Sequence, residues 1–298
     1  MRHLQSFKYV KLISESGSIR SAAESCAISP SALNRHIQSL ELDIGFRIFD
    51  RLSVGVRLSI EGEIFYQFAL SQLRSFERLQ SQINDIKGMR TGVVRLGVSA
   101  DLNVNFVNAQ IAKYQNEYPY ISFELKVIDQ NNMEDYLTSN RLDIALFYQP
   151  IISRNLNILH AFEVKVHAAL PLAVKTESLA KIKFYELIDH QILLPSKNTQ
   201  LRNKIDSACS KLGITLRTQI ECDDPFPHLT SSNNARVAFC LPLLDEFDQY
   251  NAKGYKLVPL ASKELGVGYV NLVSPSQGIM AIAPQKFVES LIKEIERL

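Results

Sequence analysis

Hydrophobic residues recur at close to helical spacing from the start of the chain: Leu4, Phe7, Val10, Leu12 and Ile13 give residues 3–15 one apolar face. Gly17 ends that helix, and Ser18 stands at the N-cap of a shorter one over 19–26. Its paired Ala22 and Ala23 are small enough to let another helix approach closely. Ala27, Ile28 and Ser29 form a turn of the length used inside a helix-turn-helix. Ser29-Pro30 then opens a third helix, because the hydroxyl caps it and proline at the first helical position loses no hydrogen bond. Ala32, Leu33, Ile37 and Leu40 lie on its apolar side, and Ser31, Asn34, Arg35 and Gln38 on another face.

The period changes at residue 42. Gly45 and Gly55 punctuate β-favouring residues up to 60, with Arg51 and Arg57 flanking the second glycine, which predicts a two-stranded wing with a basic tip. Residues 61–87 return to a helical pattern through Ile64, Phe68, Leu70, Leu73, Phe76, Leu79, Ile83 and Ile86. So many apolar positions on one long helix require a partner surface, so this segment reads as a dimerising linker. Residues 88–92 (GMRTG) are the hinge and the domain boundary. Beyond it, strands at 93–100, 121–127 and 143–148 alternate with helices at 103–117 and 132–140, the rhythm of a mostly parallel sheet. Further strands are predicted at 158–169, 191–194, 216–222, 236–241 and 269–274, with helices at 200–212 and 284–297.

Charge sharpens this division. Residues 1–60 carry eight Lys/Arg against five Asp/Glu, whereas the whole chain of 298 residues has a net charge of only +2. The positive surplus therefore lies where phosphate would be met. The first residues have no apolar core of signal-peptide length, and no stretch is apolar for long enough to span a bilayer, so a cytoplasmic protein is expected. Cys26, Cys209, Cys222 and Cys240 form no CxxC pair and read as reduced thiols.

The segment GSIRSAAESCAISPSALNRHIQSLELDIGFRIFDR (17–51) resembles the LysR-type transcriptional regulator family. The resemblance rests on the paired-alanine helix, a third helix ending in I-x-x-L-E, and G-x-x-[LI]-F-x-R leading into a wing. It continues through VVRLGVS, the Tyr118-Pro119 before a strand, and RLDIALF. It implies an α/β chain with an all-α/winged N-terminal module: a winged helix-turn-helix over 1–60, a linker helix and hinge over 61–90, and an effector domain over 91–298. The effector domain is expected to be two-lobed and periplasmic-binding-protein-like, lobe I about 91–161 and 267–298, lobe II about 162–266. Two departures mark this chain: Pro30 where the family usually has Gln, and Asn34 where it usually has Ser. The segment SSNNARVAFCLP (231–242) also lacks the family's usual glycines.

A recognition helix presents its first polar side chains to base edges in the major groove. Asn34 and Gln38 can read adenine, Arg35 can read guanine, and Ser29 and Ser31 can hold phosphate. His36 lies on the flank or reaches a base. Arg51 and Arg57 are expected at phosphates or the minor groove, with a structural ion pair from Arg51 to Asp50 or Glu41 as the alternative. Implied by the resemblance, an effector is met by the loop Ser99, Ala100 and Asp101, by Gln149 and Pro150 on the hinge side, and by Ser196, Lys197 and Thr199 opposite, with Thr230 and Ser231. Asp101 either caps the following helix or faces the cleft, where it favours an amine, a zwitterion or a polar neutral ligand over an anion. Lys197 is either a countercharge or a solvated surface lysine. The expected partners are double-stranded promoter or operator DNA, a small-molecule effector, RNA polymerase, and further copies in a homodimer or homotetramer. No cofactor is expected.

Three rivals fit less well. A redox sensor would switch through Cys209 and Cys222, but nothing near either provides an obvious basic environment to activate the thiol. An enzyme would show a nucleophile elbow, a P-loop, H-E-x-x-H or a dinucleotide fingerprint, and none is present; the six histidines show no metal-ligand pairing. A transporter's solute-binding protein would lack the N-terminal motif.

Overall fold

The computed structural model describes residues 2–86, 91–149, 153–174, 180–230, 236–243, 246–278 and 280–296. Its chain divides into two compact units, the first running from the N-terminus to residue 89 and the second holding nearly all the rest. The hinge residues 88–90, Pro150 and the glycine-poor start of 231–242, including Ser231, lie outside the described residues.

In the first unit, helices α1 (Arg2–Ser16), α2 (Ile19–Ser25) and α3 (Pro30–Ile44) pack around Val10, Ile13, Ala22, Ala23, Leu33 and Ile37. Ser18 and Ser29 cap α2 and α3 as their positions predict, accepting from the amides of Ser21 and Ala32. The turn between these helices places Ala27 in the left-handed region at φ +54°. The wing is the antiparallel pair β1 (Phe49–Arg51) and β2 (Val56–Leu58). Its tip leans on the α1–α2 turn: the Val56 amide donates to the Gly17 carbonyl at 2.9 Å, and a Cβ on Gly55 would stand 2.5 Å from that oxygen. The long helix α4 (Ile60–Ile86) begins at Ser59, whose buried hydroxyl accepts from Gly62 and donates to the Arg47 carbonyl at 2.6 Å. At Gly62 a Cβ would lie 1.9 Å from the Ile48 carbonyl, so only glycine lets α4 seat there. Phe7 on α1 meets Phe65 and Phe68 on α4, with ring centroids 5.9 and 5.7 Å away.

The second unit holds strands β3 (Gly92–Ser99), β4 (Ile121–Ile128), β5 (Ile144–Tyr148), β6 (Leu156–Val164), β7 (His167–Pro171) and β8 (Gln191–Leu194). They are followed by β9 (Thr218–Glu221), β10 (Arg236–Cys240), β11 (Tyr255–Pro259) and β12 (Gly268–Pro275). Two five-stranded sheets result, ordered β4-β3-β5-β12-β6 and β11-β7-β10-β8-β9. Helices α5 (Val104–Glu117), α6 (Gln130–Thr138), α7 (Gln200–Leu212), α8 (Phe226–Thr230), α9 (Glu246–Ala252), α10 (Ser262–Leu265) and α11 (Ile282–Ile295) complete it. In the first sheet β3 runs parallel to β4 and β5, as the alternating pattern predicts, while β12 is antiparallel to both neighbours.

One expectation fails instructively. The stretch 158–169 is not one strand: it breaks at Lys165-Val166, and β6 and β7 belong to different sheets. An unbroken β-favouring run cannot signal by itself that the chain has changed sheets. β11, which was not expected, pairs with β7, and the Leu260 amide donates to the Val166 carbonyl at 2.8 Å. The chain thus passes between the lobes as two adjacent segments.

The third helix is tied to the wing through Glu41. Its Oε1 accepts from both the Ile48 and Phe49 amides, at 2.7 and 3.1 Å. Replacing Glu41 by Ala strands two amides, at a cost of about 1–3 kcal/mol each. We expect Glu41→Ala to speed hydrogen exchange at Ile48 and Phe49 by about tenfold or more. Glu41→Gln keeps an acceptor and should remain near wild type.

Candidate DNA-reading surface and effector cleft

On α3, Arg35 and Gln38 are exposed, and among the described residues neither has a hydrogen-bond or ion-pair partner. Beside them a groove of about 820 Å³ lies between α3 and the wing, lined by Gln38, Arg47, Arg51 and Arg57 among others. Arg47 was not singled out from the sequence; it stands just before the buried Ile48-Phe49, where only its charge drew notice. The other candidate residues of α3 are already engaged. Ser29 caps the helix and its Oγ lies 3.1 Å from that of Ser31. Asn34 accepts from Arg51 Nη2 at 3.0 Å, so Arg51 pairs with neither Asp50 nor Glu41: Glu41 is spent on backbone amides, and Asp50 meets Arg57 at 3.4 Å. His36 turns inward, its Nε2 2.8 Å from Ser6 Oγ and its ring edge-on to Tyr9.

In the second unit a cavity of about 140 Å³ lies between the lobes. One wall is the loop from Ala100 to Val104; the other includes Leu201, the segment Cys222–Pro225, Phe239, Cys240, Glu246 and Tyr250. Of the two expected roles of Asp101, capping falls to another residue, and the carboxylate faces the cleft. The cap of α5 is Asn103, which accepts from the Asn105 amide. Asp101 lines the cavity and crosses it: Oδ1 accepts from the Leu201 amide at 2.7 Å, at the N-terminus of α7 in the opposite lobe. A helix N-terminus favours an anion, and here the chain supplies its own. Ser99 is fully buried; its hydroxyl donates to Asp101 Oδ2 and accepts from the Tyr148 amide, both at 3.4 Å. Burial nevertheless pushes the Asp101 carboxyl up to about 6 against the lowering effect of these bonds.

The remaining candidates stand apart from this cavity. Gln149 adopts φ +72° and its amide donates to Tyr269. Thr199 is buried as the cap of α7, accepting from Arg202 and donating to the Ser196 carbonyl. Lys197 is exposed, and Ser196, Lys197, Thr199 and Gln149 do not line the cavity. Thr230 ends α8, with its side chain outside the description. Asp224, Glu246 and Tyr250 do line it and were missed, because α8 and α9, of five and seven residues, are too short to show a period; Cys240 also lines it, at the end of the predicted strand β10.

The thiols proposed for redox switching sit in the wrong electrostatic setting. Burial raises Cys209 and Cys222 alike, and carboxylates add to it: Asp206 beside the first, Asp224 and Asp223 beside the second. A reactive thiolate needs the opposite surroundings.

Residues 4–63 match the family described as bacterial regulatory helix-turn-helix protein, lysR family, and residues 87–292 match the LysR substrate binding domain. The chain is a LysR-family transcriptional regulator. Such proteins regulate transcription rather than catalyse reactions, and this LysR-family chain combines their DNA-binding and effector-binding domains. Its relatives include a probable RuBisCO transcriptional regulator of Emiliania huxleyi, 25% identical over 217 residues, which are 72% of this chain and 69% of that one. BenM of Acinetobacter baylyi is 28% identical over 198 residues, 65% of this chain and 63% of BenM. Among solved structures, a full-length OxyR variant from Pseudomonas aeruginosa superposes with a TM-score of 0.68 at 17% identity, covering 98% of this chain and 94% of that one. CbnR complexed with its target DNA gives 0.66 at 13% identity, covering 99% of both chains. At these identities the likeness is one of fold. Among the described residues, no helix is long and apolar enough to cross a membrane.

The raised Asp101 carboxyl has a signed consequence. Its folded value, about 6, lies above the ordinary 3.8, so the folded regulator binds the extra proton and is favoured at low pH. That contribution is present below about pH 4 and is lost as pH rises to about 6 and beyond. We expect Asp101→Asn to flatten this part of the stability profile by about 2 kcal/mol, measured by thermal unfolding from pH 4 to 8.

Proposed function

We propose that this regulator binds a two-fold operator as a dimer through α3 and the wing. In this reading, a small molecule held between the effector lobes alters how it binds. The observation that carries the DNA reading is the pairing of unengaged Arg35 and Gln38 with a groove lined by three arginines. Arg35 and Gln38 read base edges; Arg47, Arg51 and Arg57 meet phosphates. Asn34 positions Arg51, and the exposed Arg57–Asp50 pair is weak enough to yield to a phosphate. Pro30, with no amide hydrogen, donates nothing at the start of the helix.

The dimer is supported by α4, which leaves Ile60, Ile64 and Phe68 exposed four residues apart, with Ile64 at 71%. Such a row lies on one helix face and calls for a second apolar surface. We place the protein in the cytoplasm with the chromosome, as a homodimer that further pairs into a tetramer, with RNA polymerase as the downstream partner. Effector occupancy shifts the balance between lobe arrangements, of which the Asp101–Leu201 contact marks one, and thereby the spacing of paired DNA-binding modules.

The test is selection of genomic fragments by the purified protein, followed by binding and bending assays with candidate effectors. We expect a two-fold-related site. Arg35→Ala should weaken specific binding by about 1–3 kcal/mol, tenfold or more, while sparing non-specific binding. Ile64→Glu should shift sedimentation toward the monomer and reduce operator affinity with it. Effector binding that leaves operator binding and bending unchanged would sink the coupling.

A further inference from the structure

We infer that the cavity between the lobes takes a ligand bearing a protonated amine, seated on Glu246. This deepens the effector reading above and rests on it. Four carboxyl groups line the cavity, those of Asp101, Asp223, Asp224 and Glu246, and the described lining residues include no lysine, arginine or histidine. Any ligand that enters meets a field set by acids alone, which repels a carboxylate or phosphate and attracts a cation.

Glu246 supplies the independent sign of a ligand. Its residue is 2% exposed, its Oε2 accepts from the Leu243 amide at 2.8 Å, and its Oε1 is buried with no hydrogen-bond partner. Leaving a buried carboxyl oxygen without a donor is costly. The other acids are better provided for. Asp101 Oδ1 holds the Leu201 amide, Asp224 Oδ1 holds the Phe226 amide, and Asp223 is exposed to water. Among the cavity's acids, Glu246 alone has a buried oxygen with no donor, and an ammonium that reaches it supplies both the donor and the countercharge. The cavity's neighbouring Cys240 and Tyr250 stay uncharged, because burial raises both. Phe239 and Leu241 give a short alkyl chain an apolar wall. Among the described residues no group of three or more His, Cys, Asp and Glu side chains is arranged to hold a metal ion, which favours an amine over a bare cation.

Proton balance follows from the same site. Burial, with Asp224 adding to it, pushes the Glu246 carboxyl up to about 8, so near neutral pH the empty site holds a proton there. An arriving ammonium favours the ionised carboxylate, and that proton leaves to solvent. The other carboxyl groups lining the cavity with it are Asp101, Asp223 and Asp224, beside the neutral Cys240 and Tyr250. Amine affinity therefore rises by about tenfold per pH unit up to about 8.

The experiment is calorimetric titration of the full-length protein with n-butylamine and 1,4-diaminobutane, against butyrate and butan-1-ol, at pH 6.5 and 8.5. We expect the amines to bind at least about tenfold tighter at pH 8.5, butyrate not to bind, and buffers of different ionisation enthalpy to reveal about one proton released per amine near neutral pH. Glu246→Gln should weaken amine binding tenfold or more and abolish the pH dependence. If that variant does not fold, the wild-type proton count decides. Preference for butyrate overturns the amine assignment while leaving an effector site in place, and amine binding without proton release overturns the seat on Glu246. Absence of binding by any amine at millimolar concentration overturns the assignment too. Loss of operator recognition in Arg35→Ala is measured without these probes, so the regulator reading stands or falls separately.

Discussion

The effector unit depends on a short backbone pairing where the chain crosses between its sheets. Lys165 and Val166 carry it one way, and the return passes Leu260, whose amide bonds to the Val166 carbonyl. On one side β6 continues the ribbon against β12; on the other β7 continues it against β11. Two strands joined in this way resist shear, since sliding would break register in both sheets at once. Bending at Lys165-Val166 leaves both registers intact, which makes a hinge the motion this connection tolerates best. Every contact across the cleft is subordinate to that geometry.

Among those contacts, Asp101 on the α7 N-terminus and Asn198 on Asp129 join the lobes by hydrogen bonds at 2.7 and 3.2 Å. The first spends a carboxylate where a bound anion would otherwise find its most favourable partner. That choice sets the character of the cleft: positive potential at α7 is already answered, and the acids on the far wall remain. A site can thus be arranged like a solute-binding cleft and still be opposite in charge to the anion-holding arrangement that the fold makes easy.

Much of this was legible in the sequence, and the reasons are physical. Ser18 and Ser29 announced helix starts because capping is local chemistry; β5 was visible as a fully buried apolar run, and the edge strand β4 by its alternation of buried and exposed positions. The sheet change at Lys165-Val166 was not, since both halves are equally β-favouring. Candidate chemistry on α3 was half readable. Helical spacing put Arg35 and Gln38 on an outward face, but whether Asn34 would meet DNA or Arg51 depended on where the wing folds back, seventeen residues later. Glu246 gave no sign at all. Its importance comes from burial among residues distant in sequence, and the two-turn helix that carries it has no periodic signature.

The docking of Val56 on Gly17, with no room for a side chain at Gly55, bears on attempts to retarget this protein. Specificity is often imagined as a cassette: cut out one helix, insert another, and read a new site. Here the wing rests on the turn before α2, and Glu41 on α3 holds the wing's base. The smallest piece that keeps both anchors of the wing runs from Gly17 to Leu58, and α1 must travel with it, because Val10 and Ile13 pack under α2 and α3 and Ser6 meets His36. A donor with any bulkier residue at its counterpart of Gly55 would deliver the right reading helix with a wing that cannot close beside it.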